Sequence, residues 1–423
     1  MTKTQHVNSF YAASVASRLV DYPRLAGDIR ADVCVLGGGF AGLSTALHLA
    51  QKGTRVVLLE RNRVGWGASG RNGGHMESLF GHDPDDFEKP IGADRASGMW
   101  ELSSEACRLV GEIIARNAIE CDMRKGVGHV AHKPKHAEHL RLGAEKFLAR
   151  GYRKNVKYYD RAELADLIGT EAYYGGFFDM DMVHLNPLQF AVGFAKVVAQ
   201  AGVQIFEDSD ALSYDASGAG VKVRTATGTV MAEKLIIATN ANIHRIDRHI
   251  AQKIFNAYAW VIATEPLGSA RAAALMKERL AVNDTRMFID FYRLSGDNRL
   301  VFGSVSPISL DTEEKRKHVL RKRMLAIYPE LADVQIDYAW EGKGAADLKF
   351  LPHIGEASPK VYYTLASNVA WAVLNGQLIA EALHGDRSRF ELVAGIETPA
   401  VPIGVRGREA LVDAYKLYER TLG

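Results

Sequence analysis

The clearest pattern of apolar and polar positions lies near the start of the chain, in the sequence ADVCVLGGGFAGLSTALHLAQKGTRVVLLERN. Asp32 to Leu36 form a short apolar run that predicts a buried strand, and Leu43 to Gln51 continue as an apolar segment of helical length. Gly53 ends that helix, and the run TRVVLLE predicts a second strand that closes at Glu60. The pattern therefore predicts a complete βαβ unit.

Helical spacing dominates the next part of the chain. Residues 89–150 place apolar residues at helical intervals among many charges. Asn186 followed by Pro187 predicts a capped helix start, and that helix ends near Gly202. Strand-like runs then follow, of which KLIIATNAN is apolar enough to be buried.

Between about residues 250 and 340, strand-like segments surround one basic helix, which starts in DTEEKRKHVLRKRM. Asp311 and Glu314 have capping-box spacing at its start. The basic charges suggest a nucleic-acid patch at first sight. Apolar residues at helical spacing favour instead a helix with one buried stripe and a solvated charged face.

Gly37, Gly39 and Gly42 form a G-x-G-x-x-G motif between the first strand and the first helix. In a dinucleotide-binding unit the three glycines allow a tight turn, close approach of a pyrophosphate, and packing of helix on strand. The helix N-terminus then offers unpaired N–H groups to the phosphates. Glu60 is placed to accept hydrogen bonds from a ribose and would repel a 2′-phosphate, which disfavours NADP. Glycine turns also serve purely structural roles, but the full βαβ register favours nucleotide binding.

A second glycine cluster, GWGASGRNGG at residues 65–74, begins five residues after Glu60. A classical NAD domain continues from its second strand into another α/β repeat, whereas this chain runs at once into the cluster. So much bare backbone indicates close approach of a ligand or turns with positive φ. With Ser69, Arg71 and Asn72 as hydrogen-bond donors, this glycine loop is suited to cover the far half of a longer cofactor.

GGGFAGLS, Glu60 and GASGRNGG together resemble the D-amino-acid-oxidase-like FAD-dependent oxidoreductases, and most closely the branch of γ-glutamylputrescine oxidases and related amine oxidases. The segments NSFYAAS, HLNPLQFAVGFAKVVAQAG, KLIIATNAN, DFYRLSGDNRLVFG and YYTLASNVAWAVLNGQLIAEALHGD continue the likeness in the same order. The resemblance thus covers nearly the whole chain and implies FAD as the cofactor.

The motifs and the resemblance together indicate a set of cofactor-binding residues. Ala211 is expected to lie against the adenine, and Asn368 or Ser367 to cap a helix that points at the flavin. The complete set is Gly37, Gly39, Phe40, Ala41, Gly42, Glu60, Arg61, Ser69, Gly70, Arg71, Asn72, Gly73, Gly74, Ala211, Thr239, Asn240 and Asn368.

The expected fold class is α/β, with a discontinuous Rossmann-like FAD-binding domain and an inserted α+β substrate domain. We expect residues 1–88, 151–248 and 345–423 to form the FAD-binding domain. Residues 89–150 and 249–344 are expected to form the substrate domain. The length of 423 residues agrees with two domains.

The resemblance implies oxidation of the C–N bond of an amine or N-substituted amino acid, similar to γ-glutamylputrescine. Hydride would pass from the carbon beside a neutral amine to flavin N5, the imine would hydrolyse, and O2 would reoxidise the flavin. The sequence departs from the family at Ser367 to Trp371, where bulky residues replace a glycine-histidine-glycine loop. This departure favours an alternative, a flavin fold with lost or altered redox activity that serves as a regulatory subunit or catalyses a different reaction.

Four residues are candidates for the chemistry. Tyr292 and Arg293 match a family position near the substrate, where Arg293 would clamp a carboxylate or, alternatively, pair with an acid on its own sheet. His75, directly after the glycine loop, would orient the substrate or carry a covalent flavin link, unless it is a structural histidine. Lys343 would activate oxygen or stabilise charge at flavin N1, unless it is exposed to solvent.

The composition excludes several classes of partner. The chain is 47% hydrophobic and 24% charged, with a net charge of +2, so it has no electrostatic footprint for nucleic acid or an anionic membrane. The expected partner is a small amine or amino acid. No signal-peptide core and no apolar run of about 18 residues is present, which predicts a cytoplasmic protein.

Neither the cysteines nor the histidines indicate a metal site. Cys34, Cys107 and Cys121 are widely spaced and include no C-x-x-C pair. The histidine-rich stretch at residues 132–139 has no strong acid or thiol partner, and Pro134 is expected to interrupt a common helix face. We therefore expect no metal ion.

Overall fold

The computed structural model describes residues 4–77, 83–89, 91–286, 288–347, 349–366, 368–398 and 400–401, without the side chain of Asp86. These residues are organised around three β-sheets with helices packed against them. In this part of the chain, no helix combines the length and the apolar character that a membrane crossing requires.

Helices and strands alternate along the described residues. The α-helices are α1 (Phe10–Val15), α2 (Phe40–Gln51), α3 (Pro84–Glu88), α4 (Ala93–Arg116), α5 (Pro134–Ala149), α6 (Arg161–Ile168), α7 (Pro187–Gln200), α8 (Arg248–Ala251), α9 (Gly268–Leu275), α10 (Glu313–Ile327), α11 (Val369–Leu383) and α12 (Ser388–Ala394). The strands are β1 (Gly27–Arg30), β2 (Val33–Leu36), β3 (Val56–Leu59), β4 (His75–Met76), β5 (Arg124–Val130), β6 (Val156–Tyr159), β7 (Gly176–His184), β8 (Gln204–Phe206), β9 (Ser213–Asp215), β10 (Val221–Arg224), β11 (Gly228–Ala232), β12 (Lys234–Ile237), β13 (Phe255–Thr264), β14 (Ala281–Asp284), β15 (Asp290–Leu294), β16 (Leu300–Ser306), β17 (Ile336–Ala346), β18 (His353–Ser358) and β19 (Val361–Leu365).

A six-stranded sheet in the order β18-β19-β12-β2-β3-β8 forms the first layer. Strands β19, β12, β2, β3 and β8 pair in parallel, and β18 joins β19 antiparallel. Every position of β2 and β3 is buried, which is typical of a parallel sheet covered on both faces. The predicted βαβ unit is confirmed, although its helix begins at Phe40 rather than Leu43.

Helices α2 and α11 pack closely against each other beside this sheet. A Cβ built at Gly376 of α11 would lie 2.5 Å from the Thr45 nitrogen of α2. The Ser44 hydroxyl of α2 donates a hydrogen bond to the Val373 carbonyl of α11, at 2.5 Å. Small residues therefore set the distance between the two helices.

A four-stranded sheet in the order β1-β11-β10-β9 adjoins the six-stranded sheet. Its valines Val221, Val223 and Val230 pack in one apolar cluster with Leu235 and Ile237 of β12. The strand-like runs predicted between residues 203 and 240 thus belong to this sheet and to its larger neighbour.

A nine-stranded mixed sheet forms the remaining layer, in the order β17-β13-β16-β15-β14-β5-β7-β4 with β6 paired to β7. Strands β6 and β7 lie within residues 151–248, which the sequence assigned to the FAD-binding domain. They nevertheless pair within the nine-stranded sheet. The assignment of residues 156–184 is therefore corrected. Strand patterns in the sequence show which segments are strands but not which strands they pair with. The other domain boundaries stay predictions.

Helix α10 lies against the nine-stranded sheet and begins one position away from the predicted start. Thr312 rather than Asp311 is the N-cap, and its hydroxyl accepts a hydrogen bond from the Lys315 N–H at 3.2 Å. The capping box predicted from Asp311 and Glu314 is therefore wrong. A hydroxyl and a carboxylate are both good caps, so composition alone did not decide between neighbouring residues.

The contact between α2 and α11 predicts opposite effects for two helical glycines. Gly376→Ala places a methyl group against α2 and is expected to destabilise the protein by about 1–3 kcal/mol. At Gly111 in α4 a built Cβ meets nothing within 4 Å, which makes this position a matched control. Gly111→Ala is expected to stabilise the protein by about 0.5–1 kcal/mol. Chemical denaturation measures both changes, and a neutral Gly376→Ala variant would contradict the close helix contact.

Candidate active site

Two glycines bring the ends of β2, β12 and α2 together. Gly37 has a φ of +109°, and a Cβ at this position would lie 2.6 Å from the Ala238 carbonyl oxygen. A Cβ at Gly42 would lie 1.9 Å from the Gly37 carbonyl oxygen. The carboxyl ends of the parallel strands and the N-terminus of α2 consequently form a narrow groove, where parallel α/β sheets bind their ligands.

The N-terminus of α2 faces the glycine loop. Gly39 is the N-cap and offers no side chain to the first N–H groups, while the Phe40 N–H donates to the Ser69 hydroxyl oxygen at 3.1 Å. Unpaired N–H groups and the partial positive charge of a helix N-terminus attract a phosphate. Ser69 therefore lies at the point where a pyrophosphate would meet the helix.

Glu60 directly follows β3 and is held by the backbone on both sides. Its Oε2 accepts a hydrogen bond from the Gly38 N–H at 2.7 Å, and its Oε1 accepts one from the Asn62 N–H at 2.8 Å. Burial raises the pKa of the Glu60 carboxyl, against the effect of these two hydrogen bonds. Each carboxylate oxygen keeps a second lone pair, so the group is able to accept a ribose hydroxyl as well.

Two cavities meet at this groove, with volumes of about 120 Å³ and about 580 Å³. The larger volume lies within the range of about 300–1,000 Å³ that is usual for small-molecule sites. The predicted residues around the smaller cavity are Gly37, Gly39, Glu60, Arg61, Ser69, Ala211, Thr239, Asn240 and Lys343. Those around the larger cavity are Gly39, Phe40, Ala41, Ser69, Asn72, Gly73, Gly74, His75, Asn240 and Asn368.

Arg71 and Gly70 of the glycine loop border neither cavity. The Arg71 guanidinium lies over the Trp66 ring at 4.0 Å and donates to the Glu341 carbonyl at 3.3 Å. The Arg71 carbonyl in turn accepts a hydrogen bond from the Trp340 indole at 3.1 Å. Arg71 thus fastens the loop to β17, and the ligand-donor role predicted for it does not fit this placement.

Asn72 shapes the rest of the glycine loop. Its side-chain amide donates to the Ala68 carbonyl at 2.9 Å, and its oxygen accepts a hydrogen bond from the Gly74 N–H at 2.7 Å. The Gly73 carbonyl accepts a hydrogen bond from Arg293 Nε at 3.2 Å. These bonds hold the backbone of residues 72–74 at the edge of the larger cavity.

Tyr292 and Arg293 do not reach either cavity. Successive residues of a strand point to opposite faces, and Tyr292 packs with Phe302 and Tyr328 on the face covered by α10. Arg293 is fully buried and pairs with Asp122 at 3.4 Å as well as with the glycine loop. The substrate clamp predicted at Arg293 is corrected to a structural brace, because its fully buried guanidinium borders neither cavity and is held by Asp122 and the glycine loop.

The start of α11 shows where residues 368–371 lie, which replace the glycine-histidine-glycine loop of the family. Asn368 is the N-cap, with its oxygen accepting from the Trp371 N–H at 3.2 Å, whereas Ser367 lies outside the described residues. Trp371 is only 1% exposed and belongs to the apolar core. At this end of α11, the larger cavity is lined by Asn368, Val369 and Ala372. The largest side chain therefore does not occupy the cavity.

A chain of polar side chains crosses the wall of the larger cavity. His75 Nδ1 lies 3.0 Å from the Asn283 oxygen, and the Asn283 amide donates to Glu77 Oε1 at 2.5 Å. The other Glu77 oxygen lies 2.7 Å from His129 Nε2. Burial lowers the pKa of His75 to about 4, so its ring is neutral at physiological pH. Only His75 was predicted, since Asn283 and His129 lie on β14 and β5, which are distant in the chain from the Glu77 carboxylate that they hold.

Asp284 and Arg286 border the same cavity beyond Asn283. They form an ion pair, and the Arg286 side chain remains 32% exposed. Burial, followed by the neighbouring charge of Asp290, raises the pKa of Asp284 to about 6. The sequence signal that was missed is the polar run NDTR at the end of an apolar strand.

Pro134 is the first residue of α5, so His132 lies before the helix and shares no helix face with His136 and His139, as predicted. His132 Nδ1 and His136 Nδ1 lie 3.0 and 2.9 Å from the Thr285 hydroxyl oxygen. Among the residues that the structure describes, no group of three or more His, Cys, Asp or Glu side chains is arranged to hold a metal ion.

Comparison with known proteins identifies the family. The family model described as FAD dependent oxidoreductase matches residues 32–382. The chain belongs to this family. As an FAD-dependent oxidoreductase it is 38% identical to the probable oxidoreductase OrdL of Haemophilus influenzae, over 94% of this chain and 93% of that protein. It is 34% identical to the gamma-glutamylputrescine oxidoreductase of Escherichia coli, over 95% and 94% of the two chains.

The fold of this FAD-dependent oxidoreductase is shared with solved structures. Glycine oxidase from Geobacillus kaustophilus superposes with a TM-score of 0.75 and 19% identity, covering 89% of this chain and 100% of that one. The predicted family, fold class, enzyme class and FAD cofactor are thereby confirmed. The groove fits this cofactor, since the N-terminus of α2 and the Glu60 carboxylate lie beside it and the two cavities share Gly39, Ser69 and Asn240 in their walls, which gives room for an elongated ligand.

Glu60→Gln is expected to weaken FAD binding on the order of tenfold or more. The new NH2 group would face either the Gly38 or the Asn62 N–H, and an unpaired buried donor costs about 1–3 kcal/mol. Fluorescence titration of the apoprotein with FAD measures the change. Glu233→Gln, at an exposed position, is the control and should bind FAD as the parent does. Equal affinity in both variants would contradict the placement of Glu60 at the cofactor.

Proposed function

We propose that this enzyme oxidises the C–N bond of an amine that also carries a carboxylate, with a γ-glutamylated amine as the model substrate. The observation that carries the proposal is the larger cavity, which joins the cofactor groove and has the guanidinium of Arg286 in its wall. The name of the Escherichia coli relative supports the same substrate class, because γ-glutamylputrescine contains an amine and a carboxylate in one molecule.

FAD would lie along both cavities. The N-terminus of α2 would receive the pyrophosphate, Glu60 the ribose, and the backbone of residues 72–74 together with Asn368 the flavin half. When bound, FAD supplies the acceptor for the hydride that leaves the carbon beside nitrogen, and O2 is the proposed final oxidant. The protein then has to orient the substrate, keep water away from the reacting carbon and release the imine for hydrolysis.

The wall of the larger cavity suits these tasks. Apolar side chains of the nine-stranded sheet region would hold the carbon chain and exclude water; they are Ala257, Ala259, Ile289, Phe291 and Val305. Arg286 is paired with Asp284 but keeps 32% of its side chain exposed, and its remaining N–H groups would hold the carboxylate. The cavity therefore combines an apolar middle with a cationic group, as an extended carboxylated amine requires.

The first test is anaerobic reduction of the purified holoenzyme. γ-Glutamylputrescine or another carboxylated amine is expected to bleach the flavin absorption, and admission of air is expected to restore it with production of hydrogen peroxide. Alcohols of similar length are the control compounds and should leave the flavin oxidised. A flavin that remains oxidised with polyamines, γ-glutamylated amines and amino acids would contradict amine oxidation.

Arg286→Gln tests the carboxylate site. The change is expected to raise KM for a carboxylated amine by about 10- to 100-fold, because a charged hydrogen bond contributes about 1.5–3 kcal/mol. KM for the same amine without its carboxylate should stay within about twofold of the parent value, which controls for general damage to the cavity. An equal increase in KM for both substrates would show that Arg286 does not bind the substrate carboxylate.

A further inference from the structure

Glu77 places a carboxylate in the wall of the larger cavity, directly after β4. Its side chain is only about 6% exposed, and much of the surrounding wall consists of alanine and other apolar residues. A charge in such a place is strongly unfavourable unless it is paired and hydrogen-bonded. The local chemistry at Glu77 therefore shows which ligand the cavity is able to accept.

Two neighbours hold the Glu77 carboxylate. Asn283 donates to Oε1 at 2.5 Å, and His129 Nε2 lies 2.7 Å from Oε2. Burial alone raises the pKa of Glu77, but nearby His129, His75 and Arg153 outweigh it and lower the pKa below its ordinary value. The group is therefore an anion at neutral pH, with lone pairs on both oxygens left for further donors.

No arginine or lysine among the described residues forms an ion pair with this anion, for which His129 is the partner that the geometry gives. Arg153 is close enough to act through its charge, but its guanidinium lies over the Phe147 ring at 4.1 Å and 3.9 Å from the Asp179 carboxylate. His75 is neutral at physiological pH. A cationic ligand in the cavity would therefore meet this carboxylate without displacing an arginine or lysine of the described residues.

We infer, on the basis of the proposed amine oxidation, that Glu77 is the cation-binding residue of the substrate cavity and selects substrates with an alkylammonium group. A carboxylate favours the charged form of a nitrogen beside it. The nitrogen that is oxidised has to be neutral, so the ammonium at Glu77 is a second nitrogen of the substrate. Asn283 and His129 are positioning residues that keep the carboxylate ionised and oriented.

The neighbourhood of Glu77 also places this ammonium next to the two other functional parts of the site. The Glu77 carbonyl accepts a hydrogen bond from the Asn368 side chain at 2.8 Å, which ties it to the N-terminus of α11. Asn283, its side-chain partner, is separated by two residues from Arg286 in the chain. A substrate with an ammonium and a carboxylate at one end and a neutral amine at the other matches this arrangement of charges.

The decisive experiment uses a cation that the enzyme cannot oxidise. tert-Butylammonium has no hydrogen on the carbon beside nitrogen, and tert-butanol is its neutral counterpart of the same shape. Binding of each to the oxidised holoenzyme is measured by calorimetry and by perturbation of the flavin absorption. The parent enzyme is expected to bind the cation at least about tenfold more tightly than the alcohol, because a charge-assisted hydrogen bond is involved.

Glu77→Gln keeps the size of the side chain and removes its charge, so the preference for the cation is expected to disappear. Glu77→Asp retains the charge and is expected to restore most of it. Glu356→Gln, which removes a carboxylate paired with Arg387 outside the cavity, is the matched control and should keep the full preference. A cation preference that survives in Glu77→Gln would overturn the inference.

The parent enzyme by itself keeps the test decisive if a variant does not fold. A parent that binds tert-butylammonium no better than tert-butanol overturns the role of Glu77. Failure of amine oxidation is recognised separately, because it appears as a flavin that no amine bleaches even though the cation preference is present. Bleaching by amines with an unchanged preference in Glu77→Gln contradicts the role of Glu77 alone.

Discussion

The contact between Gly42 and the carbonyl of Gly37 is the constraint on which the rest of the site depends. With no side chain between them, α2 begins directly on the end of β2, and the bare Gly37 allows Ala238 at the end of β12 to approach as well. The turn after β12 then brings Asn240 to the Ala366 carbonyl at 2.7 Å, just ahead of α11. Strand ends that are far apart in sequence are thus joined into one groove by backbone contacts that larger residues would prevent.

Two buried carboxylates in the wall of the larger cavity differ in how readily they take up a proton. Glu77 and Asp284 are both buried carboxylates in its wall, yet their pKa values move in opposite directions. Burial raises the pKa of both groups, but for Glu77 the neighbouring His129, followed by His75 and Arg153, outweighs burial and lowers the pKa, whereas for Asp284 the like charge of Asp290 adds to burial. Asp284 therefore takes up a proton more readily than Glu77 as the pH falls, while Arg286 keeps a second acidic neighbour in Asp290, 3.6 Å away.

The sequence predicted the parts of the site that depend on local order. The βαβ unit, the helix after Asn186 and the cap at Asn368 follow from residues that are neighbours in the chain, and the structure has all three. Glu60 lies where the end of β3 places it for the same reason. Such local elements can be predicted from sequence because caps, turns and short strands depend on residues that are close together in the chain.

What the sequence did not show depends on strand register and on contacts between distant segments. Tyr292 and Arg293 are adjacent, so only the register of β15 decides which of them faces the cavity side of the sheet, and burial removed both from the site. Asn283 and His129 are brought together by the pairing of β14 with β5, and Glu77 by the pairing of β4 with β7, across more than 200 residues of chain in the case of Glu77 and Asn283. No spacing rule reports such a juxtaposition.

The fastening of the glycine loop to the nine-stranded sheet has a consequence for the wall of the larger cavity. Arg71, Trp340 and Arg293 make separate hydrogen bonds across this boundary, and Arg293 is completely buried. Swinging the two layers apart would break all three bonds and leave a buried guanidinium without its loop partner. The loop that borders the larger cavity is therefore anchored to the sheet that forms another part of its wall, so the two border the cavity as one mechanical unit.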